Sequence, residues 1–248
     1  MSMNERMEMV KFTAKQIFLS RRTAVLMVLS FFPLVIIGVW MYQPDESASE
    51  FFSGVFLAIF LQFILLIIAL LCGTALINSE IADKTISYLS TRSLRREELF
   101  LYRYLGSIPV GFLIIAVPIA VCLTVLDIHT GSLDTLEHLP DYCTIILLGV
   151  VVYSSFFAFL GVAIKRPLMV GLLFAFFWEI LLANLPGKIP YMTLMFYLRS
   201  MSHHMADTPW PHQIEAFSTG MSALVLLGTA AVFLFLSIVI FRSKDLVE

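Results

Sequence analysis

Six apolar runs, at 24–42, 51–77, 104–126, 143–164, 168–186 and 221–241, set the limits on what this chain can fold into. The shortest has 19 residues. At ~1.5 Å per residue a helix of that length crosses ~30 Å of hydrocarbon. Lipid offers the backbone no hydrogen-bond partner, so each run must satisfy its own N–H and C=O groups, as a helix does. The runs show no two-residue alternation, which excludes a β-barrel. Pro33, Pro109 and Pro118 fall inside them, where lipid-embedded helices tolerate proline. Only 14% of the 248 residues are charged, against 59% hydrophobic. That is too little charge to cover the surface of a water-soluble domain of this size. An ordinary soluble enzyme, a disordered chain and a disulfide scaffold are excluded on the same ground. The net charge of −2 gives no footprint for nucleic acid. The three cysteines, Cys72, Cys122 and Cys143, lie in or at apolar runs without metal-ligand spacing, and read as small buried hydrophobes.

Lys and Arg set the orientation. Fourteen of the 16 fall on one side. Arg6, Lys11, Lys15, Arg21 and Arg22 precede the first run. Lys84, Arg92, Arg95, Arg96 and Arg103 sit between the second and third. Lys165 and Arg166 join the fourth and fifth, and Arg242 and Lys244 follow the sixth. The other side keeps Lys188 and Arg199 and is otherwise acidic: Asp45, Glu46, Glu50, Asp127, Asp134, Glu137 and Asp141. Both termini are therefore expected in the cytoplasm. Seven charges in the first 23 residues argue against a secretory leader.

Three connecting pieces carry information. Residues 1–23 place Met7, Val10, Ala14, Ile17 and Arg21 at helical spacing, with Glu8, Lys11, Lys15 and Arg22 on another face. This pattern predicts an amphipathic helix in the headgroup plane, serving as an elbow into the first span or as a plain anchor. Residues 78–103 leave the second run with Glu80 and Lys84 at i, i+4, break near Ser90–Ser93, and start a second helix that runs into the third span. Such a cytoplasmic turn bolted to two spans is a lever. Residues 187–220, at 34 the longest stretch outside the runs, leave no room for a catalytic domain of at least ~50 residues. Gly187-Lys188 lacks the rest of a phosphate-binding loop. Ile189–Met201 is apolar but too short to span, and predicts a re-entrant or interfacial helix on the outer face.

Among single residues, Glu179 stands out. It lies about eleven residues, ~16 Å, into the fifth run. An acid there costs roughly 2.5–3.5 kcal/mol on insertion scales, so it faces protein or a water-filled cavity. Glu179, with Trp178 and Asn184 beside it, is a candidate for a substrate path. The alternative is a structural hydrogen bond to Tyr153, Ser154 or Ser155 of the fourth run. Arg92, Arg95 and Arg96 suit an acidic partner or anionic lipid. His203, His204, Asp207 and His212 cluster beside Pro209, Trp210 and Pro211, more in keeping with an interfacial loop than with a metal centre.

The run Glu80-Ile-Ala-Asp-Lys-Thr-Ile-Ser-Tyr-Leu-Ser-Thr-Arg-Ser-Leu-Arg-Arg-Glu-Glu-Leu-Phe-Leu-Tyr-Arg-Tyr-Leu-Gly106 resembles the first cytoplasmic loop of type-2 ATP-binding-cassette (ABC) permeases. Glu80, Thr85, Ile86, Tyr88, Leu89, Thr91, Arg92, Leu94, Arg96, Tyr104, Leu105 and Gly106 match that family's pattern. Lys84, Ser93 and Arg103 stand where the family has Gly, Pro and Lys. The stretch Phe176–Gly187 resembles its fifth span. The resemblance implies one transmembrane permease domain over 1–248, all-α, with six spans, an amphipathic N-terminal helix, a coupling helix, and outer helices that lid the exit. It implies that Glu80, Asp83, Lys84, Thr85, Tyr88, Leu89, Thr91, Arg92, Arg95 and Arg96 meet a separate ATPase. The implied working unit holds two ATPases and two permeases, the second permease a copy or a paralogue. The chain itself would need no cofactor, ATP and Mg belonging to the ATPase, and would lie in the plasma (inner) membrane of a prokaryote.

The function expected is the permease of an ATP-driven exporter. One alternative is a gradient-driven carrier with Glu179 as proton group, although no internal repeat is evident. The other is an intramembrane enzyme. Glu97-Glu98 with Arg103 faintly matches a prenyl-type protease, but the spacing is one too long, and neither H-E-x-x-H nor G-x-S-x-G occurs.

Overall fold

The computed structural model describes residues 10–11, 14–42, 47–83, 96–131, 134–210 and 215–243. Among these the chain is helical, with no strand. Six helical segments are long and apolar enough to cross a membrane: Thr23–Trp40, Ala48–Thr74, Phe100–Thr130, Leu136–Ala163, Pro167–Asn184 and Thr219–Arg242. They coincide with the six apolar runs to within four residues, except that the fourth begins seven residues earlier, at Leu136. The chain is a multi-pass membrane protein.

Residues 14–18 are helical, with Ala14 and Ile17 half-buried against the bundle and Lys15 exposed. The helix does not continue to Arg21 as the periodicity predicts. It stops because Ser20 is an N-cap, its Oγ accepting from the Thr23 N–H at 3.2 Å. Arg21 opens the next helix instead. Met7 and Glu8 lie outside the described residues.

The first span is two helices, α1 (Arg21–Ser30) and α2 (Phe32–Tyr42). Pro33 has no N–H to give the Leu29 carbonyl, and its ring crowds that carbonyl. The Phe31 N–H turns back to the Val28 and Leu29 carbonyls, and the axis breaks there. The second span starts as α3 (Ala48–Val55), capped by Ser47, widens into a π-helical segment over Phe56–Ile64, and continues as α4 (Leu65–Asp83). The third, α5 (Arg96–Thr130), runs 35 residues through Pro109 and Pro118. At ~1.5 Å per residue it outreaches the hydrocarbon, so the helix entering the third span begins well before it. The fourth is α6 (Leu139–Ala163). The fifth begins as α7 (Pro167–Leu173) and becomes π-helical over Phe174–Leu181. A short helix, α8 (Leu194–Ala206), precedes the sixth span, α9 (Thr219–Ser243).

The second and fourth spans form the centre of the bundle. At Gly73 their backbones come close together: a Cβ there would sit 2.7 Å from the Phe157 Cβ and 3.0 Å from the Ser154 carbonyl. Phe156 joins the fourth, fifth and sixth spans through Phe174 at 4.1 Å and Phe233 at 4.9 Å between ring centroids. At one end of the bundle Phe100, Tyr104, Val162 and Phe241 pack together, next to Arg103, Lys165, Arg166 and Arg242 in the chain. At the other end Asp127, which closes α5, accepts from the Thr135 and Leu136 N–H groups at 3.3 and 2.9 Å. Asp134, Glu137 and Asp141 follow in the chain. The structure thus separates a basic end from an acidic one, as the Lys and Arg distribution predicts.

Candidate functional site

Glu179, Asn184 and Gln62, polar groups of the fifth and second spans, converge on α8 and its start. Thr193 is its N-cap, with extended backbone, and the Thr193 Oγ1 accepts from the Phe196 N–H at 3.3 Å. The Thr193 N–H itself donates to the Pro190 carbonyl at 2.9 Å. The next two amides, Leu194 and Met195, donate to Glu179 at 3.2 and 2.9 Å. All four N–H groups that a helix start leaves unpaired are therefore satisfied, two of them by an acid from another element. The carboxylate also stands at the positive end of the helix dipole.

Glu179 has no exposed surface. Its third partner is the Tyr153 hydroxyl, which donates to Oε2 at 2.7 Å. Tyr153 is one of the three fourth-span residues named above as a structural partner; Ser155 turns instead to the Val152 carbonyl, and Ser154 Oγ has no partner among the described residues. Three hydrogen bonds account for the cost of an acid at this depth.

Trp178 and Asn184, the other two candidate path residues, bind the same stretch of chain. The Trp178 indole N–H donates to the Met192 carbonyl at 3.1 Å. Asn184 donates from Nδ2 to the Ile180 carbonyl and accepts from the Arg199 guanidinium at 3.1 Å. The structure therefore brings Trp178, Glu179 and Asn184 together as three fastenings between the fifth span and the 189–199 stretch.

Two functional candidates were not legible beforehand. Arg199 counted only as a cation on the acidic side. In the fold it is 5% exposed and donates to Asn184 and, at 2.9 Å, to Gln62 Oε1. Its Nε has no partner among the described residues. Burial pulls the guanidinium down from its ordinary value, while Tyr153 and Glu179 pull it back up. Gln62 lies near the middle of the second span, inside the π-helical segment. The available signal was a lone amide in a 27-residue apolar segment. Both π-helical segments thus carry a side chain that binds α8, in line with the concentration of π-turns at functional sites.

Around α8 the outer loop is an aromatic mini-core of Tyr191, Phe196, Tyr197, Trp210 and Phe217. His203 Nδ1 pairs with the Thr208 carbonyl at 2.8 Å, and Asp207 ends α8 in the left-handed conformation. Among the described residues no group of His, Cys, Asp and Glu is arranged to hold a metal. His212 lies outside them. So do Lys84, Thr85, Tyr88, Leu89, Thr91, Arg92 and Arg95 of the predicted coupling turn. Glu80 and Asp83 fall in the last turn of α4, and Arg96 opens α5.

The sequence matches the family described as ABC-2 family transporter protein over residues 2–246, nearly the whole chain. No curated protein matches it.

Proposed function

The chain belongs to the ABC-2 transporter family, and from that premise we propose that it is the membrane-spanning subunit of an ATP-driven exporter. The membership, which covers both the turn at 84–95 and the α8 region, is the observation that carries this reading. The permease would dock a separate ATPase through Glu80, Asp83, Lys84, Thr85, Tyr88, Leu89, Thr91, Arg92, Arg95 and Arg96. ATP and Mg would bind on that subunit. Two ATPases and a second permease would complete the unit in the plasma membrane of a prokaryote. The basic end of the bundle would face the cytoplasm, in keeping with the positive-inside rule. The lengths of α4 and α5 support the lever: the one continues the second span to Asp83, and the other leads from Arg96 into the third. Differential affinity of the ATPases for two permease states would supply the work.

The α8 region would form the outer gate. The hydrogen bond from Arg199 to mid-span Gln62 supports a helix that dips into the bundle. Trp178, Glu179 and Asn184 would border the substrate path by holding that gate, with Glu179 itself enclosed. A proton-carrying Glu179 would have to break three hydrogen bonds per cycle, so the geometry favours the ATP-driven reading over a gradient-driven carrier. The test is affinity purification of the tagged permease from its own membranes. Recovery of an ATPase whose hydrolysis rises when the permease is present supports the assignment. Export that persists on a pH gradient with no ATPase in the membrane refutes it.

A further inference from the structure

The hydrogen bonds that hold α8 are unevenly distributed. Trp178, Glu179 and Asn184 fasten the 189–199 stretch to the fifth span through four hydrogen bonds. Toward the second span there is the Arg199–Gln62 contact. Among the described residues the buried Arg199 Nε has no partner, so the guanidinium is only part-satisfied where it meets the second span. The neighbour of Gln62, Phe63, meets Phe176 of the fifth span edge to face at 6.5 Å between centroids, both rings partly exposed. The two π-helical segments therefore meet at an apolar contact one residue along the chain from Gln62.

We propose that Arg199 is a positioning residue whose bond to Gln62 is the separable joint of the outer half: α8 moves with the fifth span, and the joint to the second span opens and closes during the working cycle. This rests on the ATP-driven reading for its second half only. A joint made of one charged donor and one neutral amide suits repeated opening. It is stronger than a bond between neutral groups, and on opening the guanidinium keeps its bond to Asn184 of the fifth span.

The experiment measures cross-linking between Phe63→Cys and Phe176→Cys with a short bis-maleimide, with Cys72, Cys122 and Cys143 replaced by alanine. In the purified permease alone, Arg199→Gln and Gln62→Leu should each slow cross-linking by about tenfold, the equivalent of one hydrogen bond to a charged group. The double substitution should be no slower than either single one. Arg199→Lys, whose single ammonium cannot reach both acceptors in the same fork, should lie between. Unchanged rates, or effects that multiply in the double variant, overturn the joint. If Arg199→Gln does not fold, Gln62→Leu alone decides the matter. A second arm uses the permease with its ATPase, hydrolysis being measured in parallel. ATP should slow cross-linking in the unsubstituted pair and leave Gln62→Leu unaffected. Active hydrolysis with no change in cross-linking means a static contact and overturns the proposal while leaving the ATPase assignment intact.

Discussion

The Tyr153 hydroxyl donates to Glu179 at 2.7 Å between two side chains with no exposed surface. The bond ties the fourth span to the fifth, and through the same carboxylate the fourth span is tied to the start of α8. An acid that seems out of place in an apolar run is thus the bolt through three elements.

Removing that bolt should cost more than losing one bond. Glu179→Ala strands the Tyr153 hydroxyl and the Leu194 and Met195 N–H groups, each at about 1–3 kcal/mol when buried. Glu179→Gln keeps one acceptor oxygen and should cost less. Tyr153→Phe, which removes a donor and leaves two of the three bonds to Glu179, should be the mildest. Thermal unfolding in detergent should rank the variants in that order, with Glu179→Ala lowest.

Gly73 is expected to tolerate no larger residue. Its absent Cβ would meet the Phe157 Cβ and the Ser154 backbone, and neither can swing away. Gly73→Leu should overpack the contact between second and fourth spans by about 1–3 kcal/mol or more. Gly38, with nothing within 4 Å of its missing Cβ, is the control: Gly38→Ala should be near neutral in the same melt.

Charge reversal in the coupling turn tests the link to the motor. Arg92→Glu or Tyr88→Ala should uncouple ATP hydrolysis from export and leave membrane insertion intact. Paired assays of hydrolysis and transport in vesicles check this; unchanged transport in both variants removes the turn from the mechanism.

Orientation is open to direct labelling. A single cysteine at Ser87 should react with a membrane-impermeant maleimide only after the membrane is opened. A cysteine at Asp134 should react in intact cells. The reverse pattern would place the basic end outside.

The spans were legible because length and apolarity are properties of a run, and lipid enforces them residue by residue. The structural alternative for Glu179 was legible too, since a buried acid needs donors and Tyr153 was within reach on the next span. Arg199 and Gln62 were not. They are 137 positions apart in the chain, each is a single polar residue without periodic company, and nothing local says that they meet. The π-helical widening over Phe56–Ile64 and Phe174–Leu181 leaves no mark on an apolar sequence, because every residue there also suits an α-helix. The stop at Ser20 is hidden for a different reason. Its capping side chain competes with an amphipathic pattern, and the cap wins.

Phe156, Phe174 and Phe233 meet through ring faces and edges that have no fixed partner atoms, whereas Trp178, Glu179 and Asn184 hold the far end of the same helix by directional bonds. Its acidic end and α8 are therefore one mechanical piece, and any slip of the fifth span against its neighbours falls to the ring contacts along its shaft.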